Sequence, residues 1–346
     1  MNPTLPSGMQ EEADKIKGDA IGNTMYSERW VLKTLIKLSE KYMDYTSSDD
    51  YRLESDLEGD LGLLWDMTIE PDVAKYLMDH NALDIIMDVL KFSGSPRLIE
   101  IMVGILGNVA CEEEVRRLIG SNAELIKIII NLLTFTDSPT LLQLVRLLTT
   151  CIWNVAKETK VTVEEGGDNV AEIDSLEEGD CLWTRCLREE SELVCRSINF
   201  ILASSRNAEL LTATLGLLES LFNLTWYSGD HFCKQFSTVE CIQALMEALK
   251  EVTSHAGDES DSQANLRRVE AACAHWITVV HRMTYHHQGR NALREHAEAV
   301  CDLVGRLWPQ PSEGSTVHTT LATELLEALS QQGEPEDGGG GCSPAG

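Results

Sequence analysis

Two scarcities limit what this 346-residue chain can be. Aromatic residues make up 6% of it, and positive charge is short, with 28 Lys and Arg against 56 Asp and Glu. A net charge of -28 repels nucleic acid phosphates and anionic bilayers, so neither direct nucleic acid binding nor membrane attachment is expected. The same field favours a basic protein partner. The apolar share, 43%, is mostly Leu, Ile, Val and Ala, which suits helices better than sheets. No run alternates with period two between turn signals, so no strand is expected.

Long apolar runs are also missing. The stretch around Ile126–Leu133 is too short to span a bilayer, and MNPTLPSGMQEEADKIKGDA has no apolar core of a secretory signal. Ten Cys occur without a C-x-x-C pair. Cys111, Cys151, Cys195 and Cys273 sit in apolar helical stretches, as small hydrophobes do in a reducing compartment. The expected location is the nucleus and/or the cytoplasm.

Signatures of catalysis are absent too: there is no G-x-S-x-G, no phosphate-binding glycine loop and no H-E-x-x-H. His275, His281, His286 and His287 with Cys273 lack the i, i+3 or i, i+4 spacing that would put two ligands on one metal ion. Cys181, Cys186 and Cys195 lack zinc-ribbon spacing. The reading is therefore of a non-enzyme with no metal and no cofactor.

What is present is a repeat. The segments from Asn81 (NALDIIMDVLKFSGSPRLIEIMVGILGNVAC) and Asn122 (NAELIKIIINLLTFTDSPTLLQLVRLLTTCIWNVAK) open alike. Each begins with Asn-Ala and an amphipathic helix: Leu83, Ile86, Met87 and Leu90 in one, Leu125, Ile128, Ile129 and Leu132 in the other. Each continues through Ser-Pro, where Ser can cap a helix and Pro can occupy its first turn. A second helix then ends at Asn108 or Asn154, each between apolar residues. A third copy from Phe200 ends at Asn223, and a partial copy ahead of the first has Asp66 in the Asn place. The helix that follows the partial copy opens at Pro71 and closes near Asn81, a residue type that tolerates a left-handed cap.

Between the second and third copies, Glu158–Asp180 carries nine acidic residues and three Gly, and reads as an inserted loop. Farther on, Gln263–His281, Arg290–Trp308 and Thr316–Gln331 read as helices, with a second acidic loop over 254–263. Repeats of this kind cannot bury their faces alone and must stack. The expected fold is all-α, an armadillo/HEAT-like right-handed helical solenoid over 19–331. Residues 1–18 and 332–346 are expected to be disordered.

The segments GDAIGNTMYSERW, LLWDMTIEPDVAKYLMDHNALDIIMDVL and SPRLIEIMVGILGNVAC together resemble the serum amyloid A-like 1 protein family. The resemblance is close from about Gly18 to Trp153 and looser beyond. It implies an armadillo-type fold, no assigned enzymatic activity, a nuclear location and a link to cell proliferation. It brings no ligand or catalytic residues.

Gly104–Ala110 is also similar to the last helix of armadillo repeats in nuclear import adaptors. There, Asn side chains bond the backbone of an extended peptide, and a Trp four residues earlier packs against it. Here the matching positions hold Gly104, Thr150 and Glu219, while Trp65 and Trp153 directly precede Asp66 and Asn154, on what reads as another face of the helix. The candidate partner-binding residues are Asp66, Asn108, Asn154, Asn223 and Trp153. For the Asn set a second reading stands beside the first: a buried amide must find partners, and it can find them by tying neighbouring helices. The leading function is an adaptor that holds an extended or helical segment of a basic protein. The alternative is a transport or assembly-chaperone adaptor for basic cargo.

Overall fold

The computed structural model describes residues 18–46, 52–165, 181–224, 231–254, 262–308 and 317–330, without the side chains of 154–165 or of Ser262. Seventeen α-helices and two short 3-10 turns occupy these residues, and no strand occurs among them. Two helices open the stack, α1 (Glu28–Lys41) and α2 (Ser55–Met67). Five triplets follow. They are α3 (Pro71–Asp79), α4 (Ala82–Phe92) and α5 (Pro96–Val109); α6 (Glu113–Gly120), α7 (Ala123–Asn131) and α8 (Ser138–Glu165); α9 (Leu182–Glu189), α10 (Ser191–Ser204) and α11 (Ala208–Asn223). The last two are α12 (His231–Phe236), α13 (Val239–Ser254) and α14 (Ser262–Met283), then α15 (His287–Glu295), α16 (Ala297–Leu307) and α17 (Val317–Ser330).

The short first helix of each triplet is where sequence and structure differ most. Periodicity exposes α3 but not α6, α9 or α12, because a two-turn helix needs few buried positions. In α6 only Val115 and Ile119 are buried, one i, i+4 pair. Arg290–Trp308, which reads as one helix, is two: the chain breaks at His296 (φ -114°, ψ 16°). The end of α8 is displaced as well. It continues to Glu165, past the start of the acidic insertion, and the rest of that insertion (166–180) lies outside the described residues. The same holds for residues 1–17, 255–261 and 331–346.

Helix ends follow local chemistry. Asn81 is left-handed (φ 55°) between α3 and α4, as its residue type allows. Ser95 caps α5, its Oγ accepting from the Leu98 N–H, with Pro96 in the first turn. At the second Ser-Pro the cap sits one residue earlier than expected: Asp137 Oδ2 accepts from the Thr140 N–H at 3.0 Å, and Ser138 is already helical. Asn122 and Asn207 cap α7 and α11.

The third helices, α2, α5, α8, α11, α14 and α17, pack side by side in chain order and form one face of the stack. Helix α5 lies between α2 and α8 and on its own α4, so it is buried nearly all round, from Leu98 to Val109. One contiguous apolar core runs from Ile21 to Leu325, as stacking requires. Each fully buried Leu or Ile contributes about 1.5–3 kcal/mol of burial free energy. The fold is an all-α, armadillo-like solenoid.

Candidate functional site

The Asn position near the end of each third helix performs a definite job in the first full triplet. Asn108 Nδ2 donates to the Trp65 carbonyl at 3.0 Å and to Thr68 Oγ1 at 3.1 Å. The Asn108 amide therefore ties α5 to the last turn of α2, where the Trp65 carbonyl otherwise has only the local N–H and hydroxyl of Thr68. The same register recurs far along the chain with a different residue. Arg282, one place from the end of α14 as Asn108 is in α5, donates from Nη1 to the Phe222 carbonyl at 2.7 Å. Sequence reasoning missed Arg282 because it searched that position for an amide; a long guanidinium reaches the same kind of carbonyl.

The other expected residues scatter. Asp66 is exposed, and Asn223 is half-buried at the last turn of α11. The side chain of Asn154 lies outside the described residues. Trp153 is 51% exposed, and it lines a groove of about 560 Å³ across α8, α11 and α14.

That groove corrects the placement of Trp153 on another face. Thr150, Trp153 and Glu219 line it together. Residues three apart in a helix are neighbours on its surface, so a Trp at 153 looks into the same space as the Thr at 150. The floor is built of small side chains, Thr149, Thr212, Ala213, Gly216 and Ser220. An added Cβ at Gly216 would come within 3.3 Å of His275 Nε2, so a bulkier residue there would press on that imidazole.

The two Trp residues differ in their surroundings. Trp65, in α2, lies against Gly104 of α5, and a Cβ on Gly104 would overlap its indole. Four residues before the Asn position, where α5 has Gly104, α11 has Glu219. The Glu219 carboxylate is held by His275 Nδ1, and the Trp153 indole stands in the groove.

The groove is lined by charge that is mostly matched. Arg146 Nη2 meets Glu209 Oε1 at 2.5 Å, and His275 Nδ1 donates to Glu219 Oε2 at 2.6 Å. Arg268 stands apart. Its Nη2 donates to Asn265 Oδ1 at 2.7 Å, while its Nε is shut from water without an acceptor. A buried donor left this way costs about 1–3 kcal/mol.

Elsewhere the titratable groups are held quiet. Burial pushes the thiols of Cys151 and Cys195 up to about 12 and that of Cys273 up to about 11, and raises Cys241 still further. A thiol so raised is protonated at neutral pH and a poor nucleophile. Burial lowers His231, helped by the nearby charges of Arg188 and Lys234. Among the described residues no group of three or more His, Cys, Asp or Glu is placed to hold a metal ion. No described helix is long and apolar enough to cross a membrane.

Comparison with known proteins agrees with the resemblance read in the sequence. The model of the SAAL1 C-terminal domain matches residues 194–308, from α10 through α16. Protein saal1 of Danio rerio is 34% identical over 267 residues, covering 74% of this chain and 52% of that protein. Protein SAAL1 of Homo sapiens is 36% identical over 214 residues, covering 60% of this chain and 40% of that protein. The chain thus spans about half the length of the curated relatives it matches. Among solved structures it is similar to a designed armadillo repeat protein (TM-score 0.45, 16% identity, 84% of this chain and 99% of the other). A computationally designed armadillo repeat protein for modular peptide recognition is similar to the same degree (TM-score 0.47, 14% identity, 85% and 99%). With the matched C-terminal domain and relatives at 30–36% identity, this chain belongs to the serum amyloid A-like 1 (SAAL1) family.

Proposed function

We propose that the chain is a non-enzymatic adaptor that holds a segment of a partner protein in the groove across α8, α11 and α14, with Trp153 as its main apolar contact. The observation that carries this reading is the 51% exposed indole standing over a floor of small residues in a cavity of about 560 Å³. A large aromatic is costly to leave in water, and an exposed Trp flanked by charged residues suits an interface anchor. The net charge of -28 supports a partner that is basic overall. The family resemblance supports a nuclear setting and a link to proliferation.

In this reading Asn108 acts as a tie between repeats and not as a peptide ligand. Asp66, exposed at the same register of α2, is a secondary contact for a Lys or Arg of the partner. The transport-adaptor alternative has less support, because Gly104, Thr150 and Glu219 stand where a Trp ladder would be needed.

The test compares the full chain with its Trp153→Ala variant in a quantitative pull-down read by mass spectrometry. Loss of an interface aromatic anchor should lower recovery of the partner about tenfold, with stability changed by less than about 0.5 kcal/mol. Equal recovery by both proteins overturns the groove as the binding site. Recovery of many unrelated basic proteins, in place of one or two stoichiometric ones, favours the transport alternative.

A further inference from the structure

We infer that the bound segment places a carboxylate, from an Asp or Glu side chain, on Arg268, next to the apolar residue that covers Trp153. This rests on the groove reading above and adds the chemistry of the occupant.

The charge of the groove wall carries the inference. Glu209 is matched by Arg146 at 2.5 Å and Glu219 by His275 at 2.6 Å. Arg268 is the remaining charged residue of the lining, and among the described residues it has no ion pair. Its one hydrogen bond, from Nη2 to the neutral Asn265 amide, leaves the Nε edge without an acceptor. The Nε and Nη donors of a guanidinium point in parallel and fit the two oxygens of a carboxylate, an arrangement stronger and more directional than a bond to an amide. Pairing requires the guanidinium to turn so that this buried edge meets the groove, which Arg268 lines together with Thr212, Ala213 and Gly216.

A cationic side chain is the wrong occupant at this point. It would face Arg268 directly, and the carboxylates nearby already have partners. The overall acidity of the protein and this local site act at different ranges. The field of -28 charges draws a basic segment from a distance, while a single acid within that segment sets its register in the groove.

The experiment is a selection of displayed random 12-residue segments on the full-length protein, run in parallel on wild type, Trp153→Ala and Arg268→Gln. Segments that need Trp153 should carry an Asp or Glu at a fixed distance from an apolar residue. That acid should disappear from the segments selected on Arg268→Gln. For one selected peptide, changing its acid to the matching amide should weaken binding to wild type about tenfold, as loss of a charge-assisted bond does, and to Arg268→Gln less than twofold. Trp153-dependent segments without an acid preference, or with the same preference on Arg268→Gln, overturn the inference and leave the groove reading standing. A selection that yields no Trp153-dependent segment overturns the groove reading, and this inference with it.

Discussion

Trp65 and Trp153 hold the same place in their repeats and meet opposite fates. Trp65 lies on Gly104 and closes the face between α2 and α5, where Asn108 adds two hydrogen bonds to the same junction. Trp153 faces Glu219 in the matching position and remains 51% exposed. The contrast predicts that the residue four places before the Asn position, Gly104 in one repeat and Glu219 in the other, sets how far the aromatic is covered.

The largest effect should come from closing off the resting place of Trp65. Gly104→Glu puts atoms where the indole lies, and should cost about 1–3 kcal/mol of stability, as overpacking of a core does. Chemical denaturation measures the loss, and adding Trp65→Ala should recover part of it. If Gly104→Glu leaves stability unchanged, the contrast between the two Trp residues fails. Asn108→Ala removes the donor shared by the Trp65 carbonyl and the Thr68 hydroxyl, which keep their bond to each other. It should cost roughly 1–2 kcal/mol and leave partner binding by the folded protein intact, which separates a tie from a ligand.

The converse change sharpens the comparison. Glu219→Gly should let Trp153 settle onto α11, at a helix cost of about 1 kcal/mol. Quenching of its fluorescence by acrylamide should fall, and partner recovery with it, whereas Glu219→Ala pays less in helix stability and keeps the Trp out. If quenching is the same in Glu219→Gly and wild type, something other than Glu219 holds the indole up.

The smallest effect concerns pH. The imidazole of His231 has its pKa lowered by burial and by Arg188 and Lys234, and its Nε2 accepts from Gln235 Nε2 at 3.0 Å. With the folded value below the unfolded one near 6.5, the unfolded chain takes up this proton first as pH falls. Stability from this group is therefore full above the mid-sixes and declines below. Melting temperatures of wild type and His231→Gln across that range should diverge slightly on the acid side, and identical slopes would remove the group from account.

Much of this architecture is legible in the chain itself. Repeating Asn-Ala, Ser-Pro and terminal Asn positions mark the long helices, and Asn81 marks a left-handed cap. The short first helices α6, α9 and α12 are hidden, because six to eight residues with two to four buried positions are too short a run to show a period. Arg282 is hidden for another reason: its role depends on reaching a carbonyl sixty positions away, and a different residue type can do that.

By itself, then, the sequence determined an all-α stack, its acidity and the ends of the third helices α5 and α11, though not that of α8. Those follow from periodicity and capping, which act within a turn or two of chain. Only the tertiary structure decided that Asn108 ties two helices, that Trp153 is half exposed, and that the Arg268 Nε is left without an acceptor. Each of these depends on what the next repeat places against a side chain, and that contact is made in space across dozens of residues.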